Sequence, residues 1–245
     1  MKKQGYTLAE VLITIAVIGI VAALTLPTLN MNITRHQAGP LLAKAINNLE
    51  HTNKMILQQF NARHLGEVAD SLGVGLYPQI LLRAGVLDVE QTDNPEVLTF
   101  DNQPFLDTEG EAEEDVRSNW LLVNDGIAYG NDFINGMEPT GTNAGAQVEG
   151  LSRKYFGTYY PLLIDVNGSK GPNILGMDVF SVFVDWKGSV IPFGGREYAE
   201  YMDLGVLWQN DCNGNVTGNG QACAGAIADN GYRVNYSFEL VNRPE

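Results

Sequence analysis

Four side chains with oxygen donors lie close together in this sequence: Asp165, Asn167, Asn173 and Asp178. Carboxylate, amide and carbonyl oxygens are the ligands that a hard cation such as Ca²⁺ prefers, so the spacing suggests a calcium loop. The EF-hand pattern is not followed, because Gly176 stands where that pattern has a bidentate glutamate. An Asx-rich turn, whose side chains bond to the local backbone, explains the same residues. The sequence leaves both interpretations open, and it requires no cofactor.

The chain has two cysteines, Cys212 and Cys223, in a segment rich in glycine and asparagine. A close pair in such a segment predicts one disulfide bond if this part of the chain lies outside the cytoplasm. The spacing does not supply the four ligands of a structural zinc site.

Histidine is restricted to the first part of the chain, at His36, His51 and His64. A serine or cysteine nucleophile paired with a histidine is therefore excluded from the residues that follow. The three histidines are not spaced as metal ligands, and we expect them to lie on a solvated surface. We expect that the chain is not an enzyme.

The formal net charge of the 245 residues is −14, and the charge is unevenly distributed. Residues 1–62 contain five basic and two acidic side chains, whereas residues 63–245 contain ten basic and 27 acidic ones. So acidic a region repels phosphate backbones, which argues against nucleic acid as a partner. A solvated, secreted domain fits this composition better.

An apolar run from Tyr6 to Leu29 follows Lys2 and Lys3, with Glu10 as its one charged residue. As a helix it would be about 36 Å long, which is enough to cross a bilayer. The basic flank predicts a cytoplasmic N-terminus, with the rest of the chain outside. A secretory signal peptide, cleaved after Ala23, or a plain membrane anchor would use the same run, but neither explains an acid inside it.

The residues from Gly5 to Ile13, GYTLAEVLI, resemble the cleavage and methylation signal of type IV prepilins and type II secretion pseudopilins. The resemblance implies that prepilin peptidase cuts between Gly5 and Tyr6 and that Tyr6 is then N-methylated. It also implies that Glu10 acts in assembly and that Pro27 loosens the helix in the filament. Tyr6 departs from the commoner phenylalanine by an aromatic ring of similar size.

The same resemblance implies a structural subunit, major or minor, of a type IV pilus or a type II secretion filament. Its partners would be prepilin peptidase, other pilin or pseudopilin subunits and the inner-membrane assembly platform. It would cross the inner membrane once, with a periplasmic head, before entering a periplasmic or extracellular filament. The alternative is a membrane-anchored or secreted enzyme or binding module that uses the apolar run only as a signal or anchor.

The domain boundaries follow from these patterns: a leader at residues 1–5, a transmembrane helix at 6–29, an amphipathic stalk helix at 30–62 and a head at 63–245. Apolar residues recur at helical spacing along the stalk. Glycine is a poor helix former and proline disfavours a helical residue before it, so we expect the stalk to break or bend near Gly39 and Pro40.

The head alternates short apolar runs with turn residues, which predicts an antiparallel sheet and an α+β, ladle-like fold of the pilin type. Asp125-Gly126 between two apolar arms predicts a hairpin turn. We further expect a long surface loop at residues 88–118 and a closing strand at 232–240. Short helices are expected at residues 76–87 and 221–230.

Overall fold

The computed structural model describes residues 7–74, 77–92, 120–131, 160–168, 170, 173–202, 205–212 and 220–236; side chains are described in these ranges except at 24–35, 92, 131, 201–202 and 210–211. The described helices are α1 (Leu8–Gln59), α2 (Leu65–Leu72), α3 (Tyr77–Ala84), α4 (Arg196–Met202), α5 (Trp208–Asp211) and α6 (Cys223–Asp229). The described strands are β1 (Val89–Thr92), β2 (Trp120–Val123), β3 (Ala128–Asn131), β4 (Tyr160–Asp165), β5 (Val179–Val184) and β6 (Val190–Pro192). The protein is therefore α+β, with a long N-terminal helix and an antiparallel sheet.

Helix α1 continues through Gly39 and Pro40 as one helix of 52 residues. Of the two predicted outcomes at this point, the break is wrong. Pro40 is exposed, and its ring removes a single helical hydrogen bond. The loss of that bond costs less than is gained from the hydrogen bonds of the flanking turns and from the packing of the helix on the head. Local propensity is a weak predictor where tertiary contacts hold a helix in place.

Gly39 is required by a close approach between α1 and the C-terminal segment. A Cβ atom placed on Gly39 would lie 2.2 Å from the backbone oxygen of Tyr232 and 2.8 Å from its carbonyl carbon. Only glycine lets two backbones approach this closely without a shift. The residue that suggested a helix break is thus a packing contact inside a helix.

Two short helices follow α1 and pack on the same core. His64 caps the start of α2, where its Nδ1 accepts a hydrogen bond from the Glu67 N–H at 3.3 Å. Gly73 ends α2 in the left-handed conformation that glycine adopts at low cost (φ 64°). His64 belongs to the head, where its ring contacts that of Trp186, with centroids 5.8 Å apart.

The described strands form one six-stranded antiparallel sheet in the order β1-β2-β3-β4-β5-β6. The predicted hairpin at Asp125-Gly126 is confirmed: it joins β2 and β3, and Gly126 has a φ of 85°. Its tip contacts the stalk, since the Lys44 ammonium lies 3.0 Å from a carboxylate oxygen of Asp125. Strand β1 pairs with β2, so the predicted loop at 88–118 begins with a strand, and residues 93–118 lie outside the described part.

The core lies between α1 and one face of the sheet. Side chains from the buried stripe of α1 pack with those of α2, α3, α6 and the central strands. Fully buried members of this cluster include Leu42, Leu49 and Ile56 from α1 and Leu162 and Ile164 from β4. The opposite face of the sheet carries a smaller buried cluster around Trp120.

The C-terminal part of the head differs from the sequence prediction. Residues 232–236 form no strand, and residues 237–240 of the predicted closing strand lie outside the described residues. This segment is used instead for packing, because the Tyr236 hydroxyl is buried and donates to the Gly176 carbonyl at 2.6 Å. Gly225 of α6 approaches Gly195 so closely that an added Cβ would lie 2.0 Å from the Gly195 nitrogen.

Candidate functional site

The N-terminus of α1 is closed by a capping box between Thr7 and Glu10. The Thr7 hydroxyl accepts from the Glu10 N–H at 3.3 Å, while the Glu10 carboxylate accepts from the Thr7 N–H and hydroxyl at 2.8 Å each. Such a reciprocal pair satisfies N–H groups that would otherwise have no partner at a helix start. The acid that the sequence assigned to assembly therefore also fixes where the helix begins.

The first turns of α1 expose a row of large apolar side chains. Leu8, Leu12, Ile15, Ile18 and Val21 are each more than half exposed. Burying such side chains stabilises a protein or an assembly by roughly 1.5–3 kcal/mol each. This surface is therefore a strong candidate for contact with an apolar partner.

Of the remaining residues predicted at the N-terminus, Gly5 and Tyr6 lie outside the described residues. Pro27 lies within the backbone of α1, in the stretch whose side chains are not described. Within the described part of the chain, no helical segment has both the length and the apolar character that crossing a membrane demands.

Comparison with known families gives a match at the same end of the chain. Residues 1–26 match the family model for the prokaryotic N-terminal methylation motif, which is the signal of type IV pilins and pseudopilins. The chain carries a prokaryotic N-terminal methylation motif. No curated protein and no solved structure matches the chain.

The methylation motif confirms the resemblance found in the sequence. It implies processing by prepilin peptidase and assembly with other pilin subunits. Thr7 and Glu10 lie inside the matched residues, so the capping box and the exposed apolar row belong to this signal. The matched residues end at 26, so this match does not extend to the head.

Outside the methylation motif, the four predicted calcium ligands lie along the segment that joins β4 to β5, where Asp178 bonds to the side chain of Asn167 and to the backbone N–H of Asn173. Asp178 is its hub: one carboxylate oxygen accepts from the Ile174 N–H at 2.6 Å, and the other accepts from the Asn173 N–H at 3.0 Å. The latter oxygen also accepts from Nδ2 of Asn167 at 3.1 Å. Asp165 accepts from the Asn167 N–H at 3.0 Å, in the manner of an Asx turn. Burial raises the pKa of Asp178, and these N–H donors oppose the rise.

This loop is held from outside by the predicted disulfide. Cys212 and Cys223 are bonded, with Cα atoms 5.3 Å apart, and both are buried. The Cys223 sulfur lies against Gly176, where an added Cβ would be 2.8 Å away. The predicted cysteine pairing is therefore confirmed, and the disulfide links α6 to the residue that follows α5. It also contacts the loop between β4 and β5 at Gly176, which the sequence did not indicate.

A cavity of about 270 Å³ between α1, β6, α4 and α6 was not predicted. Its lining includes Glu50, Glu197, Asp229 and Tyr232. Burial, and then the negative charges of Glu50 and other nearby acids, raises the pKa of Glu197. These residues come from three separate parts of the chain, so no local sequence pattern could have found them.

Proposed function

We propose that the protein is a structural subunit of a type IV pilus or a type II secretion filament. Prepilin peptidase would remove residues 1–5 and methylate Tyr6, leaving a single inner-membrane span with a periplasmic head. Subunits would then pack through the apolar start of α1, and the head would face outward. The role is mechanical, and the chemistry is done on this chain by other proteins.

One observation carries the proposal: the methylation motif contains the exposed apolar row of α1. A row of this size is unfavourable in water, so it calls for a lipid or protein environment. A filament subunit would meet both environments in turn: the bilayer before assembly, and the apolar helices of neighbouring subunits after it. The acidic head remains solvated in either setting.

Glu10 gives the proposal a test, because its two roles are separable. In the filament its carboxylate would pair with the positive α-amine of a neighbouring subunit and set the axial register. A carboxylate left unpaired among packed apolar helices is costly. In the single chain the same carboxylate closes the capping box with Thr7.

The experiment compares Glu10→Gln with Thr7→Ala in cells that form the filament. Glutamine also completes a capping box, so Glu10→Gln removes the charge and keeps the cap. Thr7→Ala keeps the charge and removes the cap, at about 1 kcal/mol of helix stability. We expect Glu10→Gln to lower sheared-filament yield by roughly tenfold or more, since a hydrogen bond to a charged group is worth about 1.5–3 kcal/mol. Thr7→Ala should retain filaments.

Mature protein in the membrane fraction is measured in the same cells by N-terminal mass spectrometry. A methylated Tyr6 start in both variants shows that processing is intact and that the loss lies in assembly. Normal filaments from Glu10→Gln would contradict the register role. A start at Leu24, after ordinary signal peptidase cleavage, would contradict the whole proposal.

A further inference from the structure

We propose that the head carries a docking surface for a second copy of this chain, in which a basic patch on one copy meets the acidic cavity of the next. The basic patch consists of residues at the end of α1, just after it, and at the turn between β5 and β6: Lys54, Arg63, His64, Trp186 and Lys187. The acidic cavity is the one beside Glu50, Glu197 and Asp229. The choice of partner rests on the proposed filament role, and the test below can fail separately from that role.

The basic patch is assembled by contacts between the turn that joins β5 to β6 and the residues at and beyond the end of α1. Nδ2 of Asn53 donates to the Gly188 carbonyl at 2.9 Å, and the ring of His64 contacts that of Trp186, with centroids 5.8 Å apart. The residues next to these contacts in the sequence are exposed and basic: Lys54, Arg63 and Lys187. The fold thus collects on one surface three cations that are far apart in the sequence.

The acids beside the basic patch are used locally. Asp185 is buried and accepts hydrogen bonds from two N–H groups of its own turn, at 2.7 and 2.9 Å. The Glu67 carboxylate accepts from the Arg63 N–H at 2.7 Å. Lys187 is held over the ring of Trp186, 4.8 Å from its centroid, by a cation–π contact. A fixed group of cations on a chain with a net charge of −14 favours an acidic surface as its partner.

The acidic cavity has the complementary charge. Its described lining includes three acids and no Lys, Arg or His. Two of the acids are fixed, because Glu50 accepts from the Val190 N–H at 3.3 Å and Asp229 accepts from the indole N–H of Trp208 at 2.7 Å. Burial and then the charges of Glu50 and other acids raise the pKa of Glu197, so a cation placed here would relieve repulsion between carboxylates.

The size and lining of the acidic cavity fit one long basic side chain. Its volume of about 270 Å³ lies below the range of roughly 300–1,000 Å³ that is usual for pockets of drug-sized ligands. Arg196 stands at its edge, 3.9 Å from Asp229, and is 76% exposed, so this ion pair contributes little. Apolar residues in the lining would cover the methylene stem of a lysine while the carboxylates take its ammonium group: Ile46, Val190, Pro192 and Ala228.

A second copy of this chain is the partner that offers such an acidic surface. The methylation motif implies assembly with other pilin subunits, so copies of the head would meet one another. A contact between two different surfaces is heterologous, which leaves a free basic patch at one end of an assembly and a free acidic cavity at the other. Such a contact repeats from copy to copy, as a filament requires.

The first test reverses one charge on each surface, in cells that form the filament. The variants are Lys187→Glu and Glu197→Lys, alone and combined. We expect each single change to lower sheared-filament yield about tenfold or more, because like charges would then face each other across the contact. The combined variant should recover most of the yield. The matched controls Lys170→Glu and Glu90→Lys make the same charge changes at exposed positions elsewhere in the head, and they should keep normal yield.

The second test uses the unaltered mature chain in detergent, so it does not depend on how a variant folds. A carbodiimide couples a lysine amine to a carboxylate only where the two are in contact. In a mixture of unlabelled and nitrogen-15-labelled chains, a link between a light and a heavy peptide joins two copies. We expect such links from Lys54 or Lys187 to Glu50 or Glu197 at low salt. They should be lost at about 1 M salt, where the Debye length falls to about 3 Å.

Two results would overturn the docking surface. One is normal filament yield from both Lys187→Glu and Glu197→Lys, which would leave the filament role itself intact. The other is that all links at these residues join peptides of the same copy. If the unaltered chain forms no filaments, the proposed function fails, and the light-to-heavy links in detergent still decide whether the docking surface exists.

Discussion

Replacing Gly39 by alanine separates two effects with opposite signs. Alanine is the better helix former by about 1 kcal/mol, which would stabilise α1. The new Cβ, however, would lie 2.2 Å from the backbone oxygen of Tyr232, far inside van der Waals contact. The obstacle is backbone and not a flexible side chain, so the C-terminal segment itself must move.

Overpacking of this kind typically costs about 1–3 kcal/mol, and a clash of more than an ångström belongs at the upper end. Subtracting the gain in helix propensity leaves a net loss of about 2 kcal/mol in the free energy of unfolding. For a chain of this length the melting temperature should fall by about 4–8 °C.

The assay is urea unfolding of the mature chain in detergent, followed by circular dichroism, with Pro40→Ala as the companion variant. Pro40 is exposed and interrupts the hydrogen bonds of a continuous helix, so alanine there should stabilise the chain by about 2 kcal/mol. The two adjacent changes therefore have opposite signs if α1 is continuous and packed on Tyr232. If Gly39→Ala stabilises the chain and Pro40→Ala does not, the helix breaks at residue 39 and our reasoning is refuted.

Two further predictions concern the head. Replacing Cys212 and Cys223 together by alanine should lower the free energy of unfolding by about 3 kcal/mol, because the disulfide restricts the unfolded chain by closing a short loop. An unchanged midpoint of urea unfolding would contradict this. Burial raises the pKa of both Glu197 and Asp185, so the folded chain binds more protons than the unfolded chain between the ordinary and the raised pKa values. Their stabilising contribution is complete below about pH 4 and is lost as the pH rises through the raised values. Thermal melts in EDTA should therefore give a higher melting temperature at pH 5 than at pH 7, and the reverse order would show that other groups control the pH dependence.

The sequence alone determined the features that depend on neighbours along the chain. The methylation motif is a linear signal around Gly5 and Glu10, and the comparison confirms it without reference to the head. The Asp125-Gly126 turn is equally local, because a two-residue turn requires backbone angles that few residues adopt. The close cysteine pair was sufficient for the disulfide. The filament role and the site of processing stay predictions that follow from the same local signal.

Tertiary structure decided what each residue contacts at long range. Helix propensity alone predicted a break or bend at Gly39. In the structure a glycine is required there because the backbone of Tyr232, far along the chain, approaches it closely. A closing strand was predicted at residues 232–240, whereas the buried Tyr236 hydroxyl donates a hydrogen bond to the Gly176 carbonyl. The cavity beside Glu50 and Glu197 has no local pattern at all. Apart from that of proline, helix propensities amount to at most about 1 kcal/mol per residue, and a single buried contact or clash can exceed that, so packing overrides them where distant segments meet.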